Sequence, residues 1–341
     1  MSGVIKHLFI LNPKSFWNKW KWDHIVSKIQ NFFETAGAAN CSLHVSQFPR
    51  EAISYIRSYA RKLSEGTTLR VYAVGGDGIM FDCLNGIMGL ESIAKAEGRL
   101  PVRAELAVMP YGHTNDFIRG FGKKNKKNFR NIEQQFSAPV IPMDVLRVGN
   151  NYALNYCSVG LESVAVRYSG QIREYFETGN AMSRWLNRRF YTLNYLLGGL
   201  IAGMDKKLLF QEYTIDIDGE ILKGAYSTIG LFNGKYYGGG MYPIKNAIPN
   251  DGILDILLTR SMGLIRTFSF VPFYMTGRSG QFPGVFTSMQ GRKININSES
   301  PVMLSMDGEV FFDNHLTLEL LPGALQFVDA SFKGIGGITD E

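Results

Sequence analysis

Val71-Tyr72-Ala73-Val74-Gly75-Gly76-Asp77-Gly78 is a short apolar run that stops on a diglycine turn, and a helical stretch follows it to Gly89. Strand, bare turn and helix form the repeating unit of a parallel sheet. Working outward, the same unit recurs. His7 to Leu11 reads as a buried strand, and Ile25, Ile29, Phe32 and Phe33 keep helical spacing up to Gly37. Ser42 to Ser46 alternates like a strand, and Ala52, Ile56, Ala60 and Leu63 mark the next helix. Leu106 to Met109 is a further strand, ending at Pro110. The rhythm predicts an α/β N-terminal domain, a Rossmann-like parallel sheet covered by helices on both faces.

Beyond about residue 123 the texture changes. Lys123 to Lys127 reads as a charged, helix-poor connector with a solvated surface. Short alternating segments follow: Tyr152–Val159, Leu209–Ile217, Ile221–Leu231, Ile253–Leu258, Arg292–Asn297, Val302–Met306 and Leu316–Leu320. Gly, Asn and Pro turns separate them, which predicts an antiparallel β-sandwich domain. Ser169–Ala202 and Leu264–Thr276 read as helical insertions. The expected division is 1–138 for the α/β domain and 139–322 for the β-rich domain, with 323–341 packing back on the first.

The 341 residues suffice for two real cores, and 45% apolar with 19% charged residues excludes a disordered chain or a fibre. A net charge of +6 is modest for a nucleic-acid binder and suits an anionic substrate or membrane surface. Three widely spaced cysteines, Cys41, Cys83 and Cys157, argue against a disulfide framework or a zinc site and favour a reducing cytosol. No signal peptide is expected, since the apolar run after Lys6-His7 ends at Asn12-Pro13. The greasiest stretch, Phe190 to Met204, is fifteen residues long, too short to span a bilayer unaided. The five histidines show no ligand spacing, and no G-x-S-x-G elbow is present.

Phosphate needs bare backbone N–H groups within hydrogen-bond reach, and the diglycine turn supplies them where ligands bind an open parallel sheet. Asp77 would repel phosphate directly, but it suits a magnesium ion lying between the two. An ordinary strand-to-helix turn with an N-terminal Asp has the same letters. Met109 to Phe117 follows the next strand and Asn12-Pro13-Lys14-Ser15 follows the first. Each is uninformative alone, Asn115 and Asp116 being common helix caps. Together the three turns converge on one polar crevice.

Read in order, these pieces resemble the diacylglycerol kinase catalytic family, which includes sphingosine and ceramide kinases and bacterial soluble lipid kinases. Asn12-Pro13, Gly75-Gly76-Asp77-Gly78 with Asn85-Gly86, and Pro110-x-Gly112-x-x-Asn115-Asp116-Phe117 carry the first half. Gly238-Gly239-Gly240-Met241 through Asn250-Asp251-Gly252-x-Leu254-Asp255, then Met306-Asp307-Gly308-Glu309, carry the second. The resemblance implies an ATP-dependent transfer of the γ-phosphate to a lipid hydroxyl, most simply that of diacylglycerol, with magnesium. Asn12, Pro13, Lys14, Ser15, Phe16, Ser46, Gly75, Gly76, Asp77, Gly78, Ile79, Met80 and His113 would line the ATP site, Asp77 beside the phosphates and their magnesium. Glu309 would take the hydroxyl proton, with Asp307 beside it. Asp251 and the carbonyls of Ile248 and Ile253 would match a structural magnesium site, and Asp144 or Glu162 acidic positions near the acceptor. Five positions depart from the family pattern: Phe16 and Trp17 for glycines, Ile79 and His113 where threonine is usual, and Asn250 for an aspartate.

Two other readings stay open. NAD kinases share the GGDG turn but carry an Asn-Glu pair, and the comparable Ala153-Leu154-Asn155-Tyr156 lacks the acid. A catalytically silent nucleotide- or lipid-binding regulator fits the irregular first loop, Ile79 and Asn250. Asp307-Gly308-Glu309 by itself reads equally as a β-turn with solvated acids. Between Arg173 and Lys207, Arg184, Arg188, Arg189, Lys206 and Lys207 interleave with Trp185, Leu186, Phe190, Tyr191, Leu193, Leu196 and Leu197. That mixture fits an interfacial helix on anionic headgroups, and equally a core helix or a homodimer contact. The tryptophans at 17, 20 and 22 form a second membrane edge or cap the first helix. The expected location is cytoplasmic, peripheral at the inner membrane surface, with ATP and a lipid alcohol as partners and no nucleic acid.

Overall fold

A computed structural model describes residues 4–16, 18–177, 182 and 191–332. The chain divides into two compact units, Met1–Met143 with Gly323–Glu341, and Asp144–Pro322.

In the first unit, strands β1 (Ile5–Leu11), β2 (Cys41–Val45), β3 (Thr68–Gly75) and β4 (Arg103–Pro110) are all parallel, in the order β4-β3-β1-β2. Gln326 and Phe327 add a further parallel pairing outside β4, at Glu105 and Leu106. The core of β1 and β3 is buried on both faces, as a parallel sheet under helices requires, and Phe9 stacks on Tyr72 at 4.1 Å. Asn18 opens the helix Lys19–Ala36 by accepting from Lys21 N at 2.8 Å. Helix Asp77–Met88 is buried almost all round, and Gly86 lets Ile56 of the neighbouring helix Glu51–Ala60 approach its backbone. Because the strands run one way, the turns after β1, β2, β3 and β4 share one edge of the sheet. Two features of this unit differ from the expectation. Leu90–Ala96 adds a helix, and the charged connector is wound into a 3₁₀ turn, Lys123–Asn125, and a helical turn, Lys126–Phe129, pinned by buried Phe129.

Strand β5 (Val140–Val148) leads into the second unit, where it pairs antiparallel with β6 (Asn151–Ala153). The pairings among β7 (Tyr156–Gly160), β8 (Glu212–Ile217), β9 (Glu220–Phe232), β10 (Leu254–Arg260), β11 (Phe286–Gly291), β12 (Lys293–Met306) and β13 (Glu309–Val328) are antiparallel where these strands meet. β7 and β8 each pair with both β9 and β12, so these four strands close on themselves. Such closure needs two long strands that bend. In β12 the bend is a break in register between Asn297 and Val302, so the segments 292–297 and 302–306 are one strand. The sandwich expected from the alternation is present. The first helical insertion begins at Leu161, eight residues earlier than its spacing suggests, and runs to Glu177. Helix Tyr191–Gly203 packs on it through small residues, where a Cβ on Gly198 would lie 2.6 Å from the Ala165 carbonyl oxygen, and Gly203 of the same helix faces Leu264 and Phe268 of helix Leu264–Met275. No helix among the described residues is long and apolar enough to cross a membrane.

Candidate nucleotide and acceptor sites

The diglycine corner is built main chain against main chain. Gly75 O accepts from Tyr111 N at 2.8 Å and from Gly112 N at 2.7 Å, which ties the turn after β4 to the end of β3. A Cβ on Gly112 would lie 2.1 Å from Gly76 Cα, and one on Gly75 would lie 2.7 Å from Ser15 Oγ. Asn115, left-handed at φ +49, donates from Nδ2 to Gly112 O at 2.6 Å and fixes the far side of the loop. Asn12 plays the same part after β1, its side chain accepting from Lys14 N at 3.0 Å ahead of the turn Pro13–Ser15. The amides of Asp77, Gly78 and Ile79 open the next helix ahead of its first bond, Met80 N to Gly76 O.

Asp77 Oδ2 accepts from Thr114 Oγ1 at 2.6 Å and lies 3.4 Å from Asp116 N. Its other carboxylate oxygen has no hydrogen-bond partner among the described residues. One outward carboxylate oxygen beside bare amides suits magnesium, which takes one or two carboxylates and fills its remaining positions with phosphate oxygens and water. Cations gather at the same end of the unit. Lys126 is half-buried, and that burial, followed by Arg130 and Arg119, lowers its pKa, while Asp77 and Asp116 pull the other way. The expectation of a solvated charge run therefore fails at Lys126, because the helical turn 126–129 carries it inward. Ile79 and Met80 also depart from their assignment: both side chains point into the core, so only their main chain remains for a ligand. Ser46 donates its hydroxyl to Phe48 O at 3.1 Å, within its own loop. Phe16 stacks on Tyr111 at 5.4 Å, and Arg130 lies over the same tyrosine ring.

In the second unit, Asp307 (φ +47) and Gly308 (φ +94) form the two-residue turn that joins β12 to β13 and places Glu309 opposite Met306. Glu309 is half-buried at the start of β13. Asp307 is buried, and its carboxylate accepts from Leu154 N at 2.7 Å, Asn155 N at 3.1 Å and Tyr156 N at 2.9 Å. Asp144 is likewise committed to a loop: Oδ2 accepts from Gly252 N at 2.7 Å, and its amide donates to Pro249 O at 2.9 Å. Asp251 Oδ1 accepts from Ile253 N at 2.9 Å, and Arg292 donates to Gly252 O. Among the described residues no group of three acids, histidines or cysteines converges, so a cation on this loop would have one carboxylate and otherwise carbonyls and water.

Glu162 is far from solvent. Tyr195 donates to Oε1 at 3.0 Å and Tyr274 to Oε2 at 2.8 Å, and the buried Tyr237 hydroxyl faces the same carboxyl. Burial raises the Glu162 pKa, and the three phenols offset only part of it. A raised carboxyl pKa means that the folded chain holds the proton more tightly than the unfolded one. The stability this adds is complete below the ordinary carboxylate range and is lost as pH climbs through the raised value. Glu162→Gln keeps the shape without the titration. The wild-type melting temperature should therefore fall against that of the variant as pH rises, and parallel curves would refute a raised Glu162 pKa.

Two family models match the chain. Residues 6–148 match the diacylglycerol kinase catalytic domain, and residues 179–329 match the YegS C-terminal NAD kinase beta sandwich-like domain. The chain thus resembles a diacylglycerol kinase catalytic domain over its first part and the C-terminal domain of YegS over its second. Its relatives include a protein of Shewanella frigidimarina (strain NCIMB 400) named "Probable lipid kinase YegS-like", 28% identical over 76% of this chain and 76% of its own. A solved structure from Bacillus anthracis str. Sterne, described as a diacylglycerol kinase, aligns with a TM-score of 0.63 at 22% identity over 95% of this chain and 96% of its own. That likeness concerns the fold.

Within the first unit the structure gathers Gly75, Gly76, Asp77, Ser15 and Gly112 at one corner. Within the second it joins Asp307 to the 154–156 segment, and Asp144 to the loop carrying Asp251. Sequence reasoning missed Thr114, Lys126 and Asn233. Thr114 sits inside the quoted Pro110–Phe117 motif, but only the fold shows that its hydroxyl meets Asp77. Asp77→Asn keeps an acceptor for Thr114 and removes the charge. It should weaken magnesium-dependent nucleotide binding about 10- to 100-fold, the range for losing one charged contact, and leave binding in chelator unchanged. Calorimetry giving equal affinities with magnesium would dismiss the metal-bridging role.

Proposed function

We propose that the chain is an ATP-dependent lipid kinase that transfers the γ-phosphate to a lipid hydroxyl, diacylglycerol being the simplest acceptor. One observation carries the reading: Gly76 and Gly112 meet backbone to backbone, leaving the first amides of helix Asp77–Met88 bare beside an outward oxygen of Asp77. That is a phosphate cradle with a place for a cation. Lys126, Arg119 and Arg130 would add positive charge around the β/γ-phosphates. Magnesium, when bound through Asp77, would neutralise charge on the transferring group. Glu309 would accept the hydroxyl proton as the new P–O bond forms. Orientation of both substrates could contribute as much as about 7–11 kcal/mol.

A lipid acceptor has support on the second unit. Leu193, Leu197, Leu200, Ile201 and Met204 are exposed along one side of helix Tyr191–Gly203 and the turn after it, next to Lys206 and Lys207. An apolar stripe ending in cations suits an anionic bilayer surface and supports reading the chain as a peripheral protein at the inner membrane face. Arg184, Trp185, Leu186, Arg188, Arg189, Phe190 and Trp17, which the sequence reading enlisted for the same contact, lie outside the described residues. The test is incubation with γ-labelled ATP and magnesium over vesicles carrying a panel of lipid alcohols, beside NAD and a no-acceptor control. Label in a lipid phosphate supports the reading; label in NAD alone, or in nothing across the panel, overturns it.

A further inference from the structure

The turn that carries Glu309 is held from beneath. An Asp-Gly pair at φ +47 and +94 needs no explanation beyond turn geometry, and Asn-Gly would serve equally. The carboxylate is what turn geometry leaves unexplained. It reaches across to the segment between β6 and β7, where three successive amides, those of Leu154, Asn155 and Tyr156, donate to it. The Asp307 amide returns a bond to Tyr156 O at 3.1 Å. The other side of the same segment is held by Asn233, which is fully buried: its Nδ2 donates to Leu154 O at 2.7 Å and to Asp144 O at 2.9 Å. Asn233 N and Gly234 N both donate to Asn155 O, at 2.9 and 2.8 Å. The arch 154–156 is therefore clamped between two buried polar side chains.

We propose that Asp307 and Asn233 are positioning residues for Glu309, clamping the 154–156 arch so that the turn, and the carboxylate that follows it, is held in one place. Asp307 is then not a second base, because the lone pairs a base would use are committed to three amides. The inference rests on Glu309 being the base of the proposed kinase reaction.

Asp307→Asn tests it cleanly, since the substitution suits the turn, yet its amide nitrogen would face amide donors. Turnover should fall about 10- to 100-fold, the scale of a small misplacement of a reacting group. KM for ATP should be unchanged, the acid limb of the pH–rate profile should stay where it is, and hydrogen exchange should speed up at Leu154, Asn155 and Tyr156. Asn233→Ala, assayed below its own melting temperature, should move the same readouts in the same direction. The double variant should cost less than the sum, because both act on one arch. Wild-type turnover and wild-type exchange in Asp307→Asn would overturn the proposal. So would an acid limb that disappears in Asp307→Asn and persists in Glu309→Gln, which would make Asp307 the base. The two readings fail separately: a fully active Glu309→Gln removes the base itself, whereas an inactive Glu309→Gln beside an unaffected Asp307→Asn removes only the clamp.

Discussion

Glu309→Gln should cut turnover by about 10²–10⁴-fold, the usual contribution of a general base, while nucleotide binding measured by calorimetry stays at its wild-type value. In barrier terms that is about 3–5 kcal/mol. Glutamine matches glutamate in volume and keeps β13 paired through Met306, so the loss reports the missing proton acceptor and not a displaced strand. Alanine would confuse the two. The groups proposed to hold the nucleotide belong to the first unit and Glu309 to the second, so binding and chemistry separate in the measurement. The pH dependence supplies a second check. Activity limited by ionisation of a carboxyl rises with pH on the acid side, and the glutamine variant should lose that rise along with the rate. A variant with full turnover, or one that loses nucleotide affinity in step with rate, would take the assigned role away from Glu309.

The sheet of the first unit was legible because its strands are buried on both faces and stop on turn residues: Leu8 to Leu11 and Val71 to Val74 are apolar without interruption. The β half was legible as alternation but not as topology. Nothing local in Lys293 to Met306 says that its first half pairs with β8 and its last three residues with β7. That division is set by closure of four strands, a tertiary condition. The acid motifs were legible as letters, and their roles were not. Asp307 and Glu309 are two residues apart, yet one is consumed by backbone amides and the other starts a strand. Lys126 shows the opposite failure, in which a run of like charges reads as solvated until one helical turn half-buries Lys126. Asn233 carries no sequence signal stronger than an Asn-Gly pair at a strand end. Its importance lies in being buried with both amide hydrogens used.

Gly112→Ala should abolish nucleotide binding, with an affinity loss of at least about 100-fold, and lower stability by about 1–3 kcal/mol or more. The reason is contact distance. The added methyl would sit 2.1 Å from Gly76 Cα and 2.8 Å from Gly76 N, inside any tolerable separation, and its neighbours are backbone that no rotamer change can move. The loop after β4 must then lift from the end of β3. Lifting strains the two bonds into Gly75 O and turns the opening amides of helix Asp77–Met88 away from one another. Gly78→Ala is the matching control, because a Cβ there meets nothing within 4 Å and the residue lies in the first turn of a helix, where alanine is favoured. Its melting temperature should equal or exceed the wild-type value. The comparison separates a demand for glycine in general from a demand for it where two backbones touch. If Gly112→Ala bound nucleotide normally, the amides around Gly76 could not be the phosphate cradle, since the corner that forms them would have been pried open without consequence.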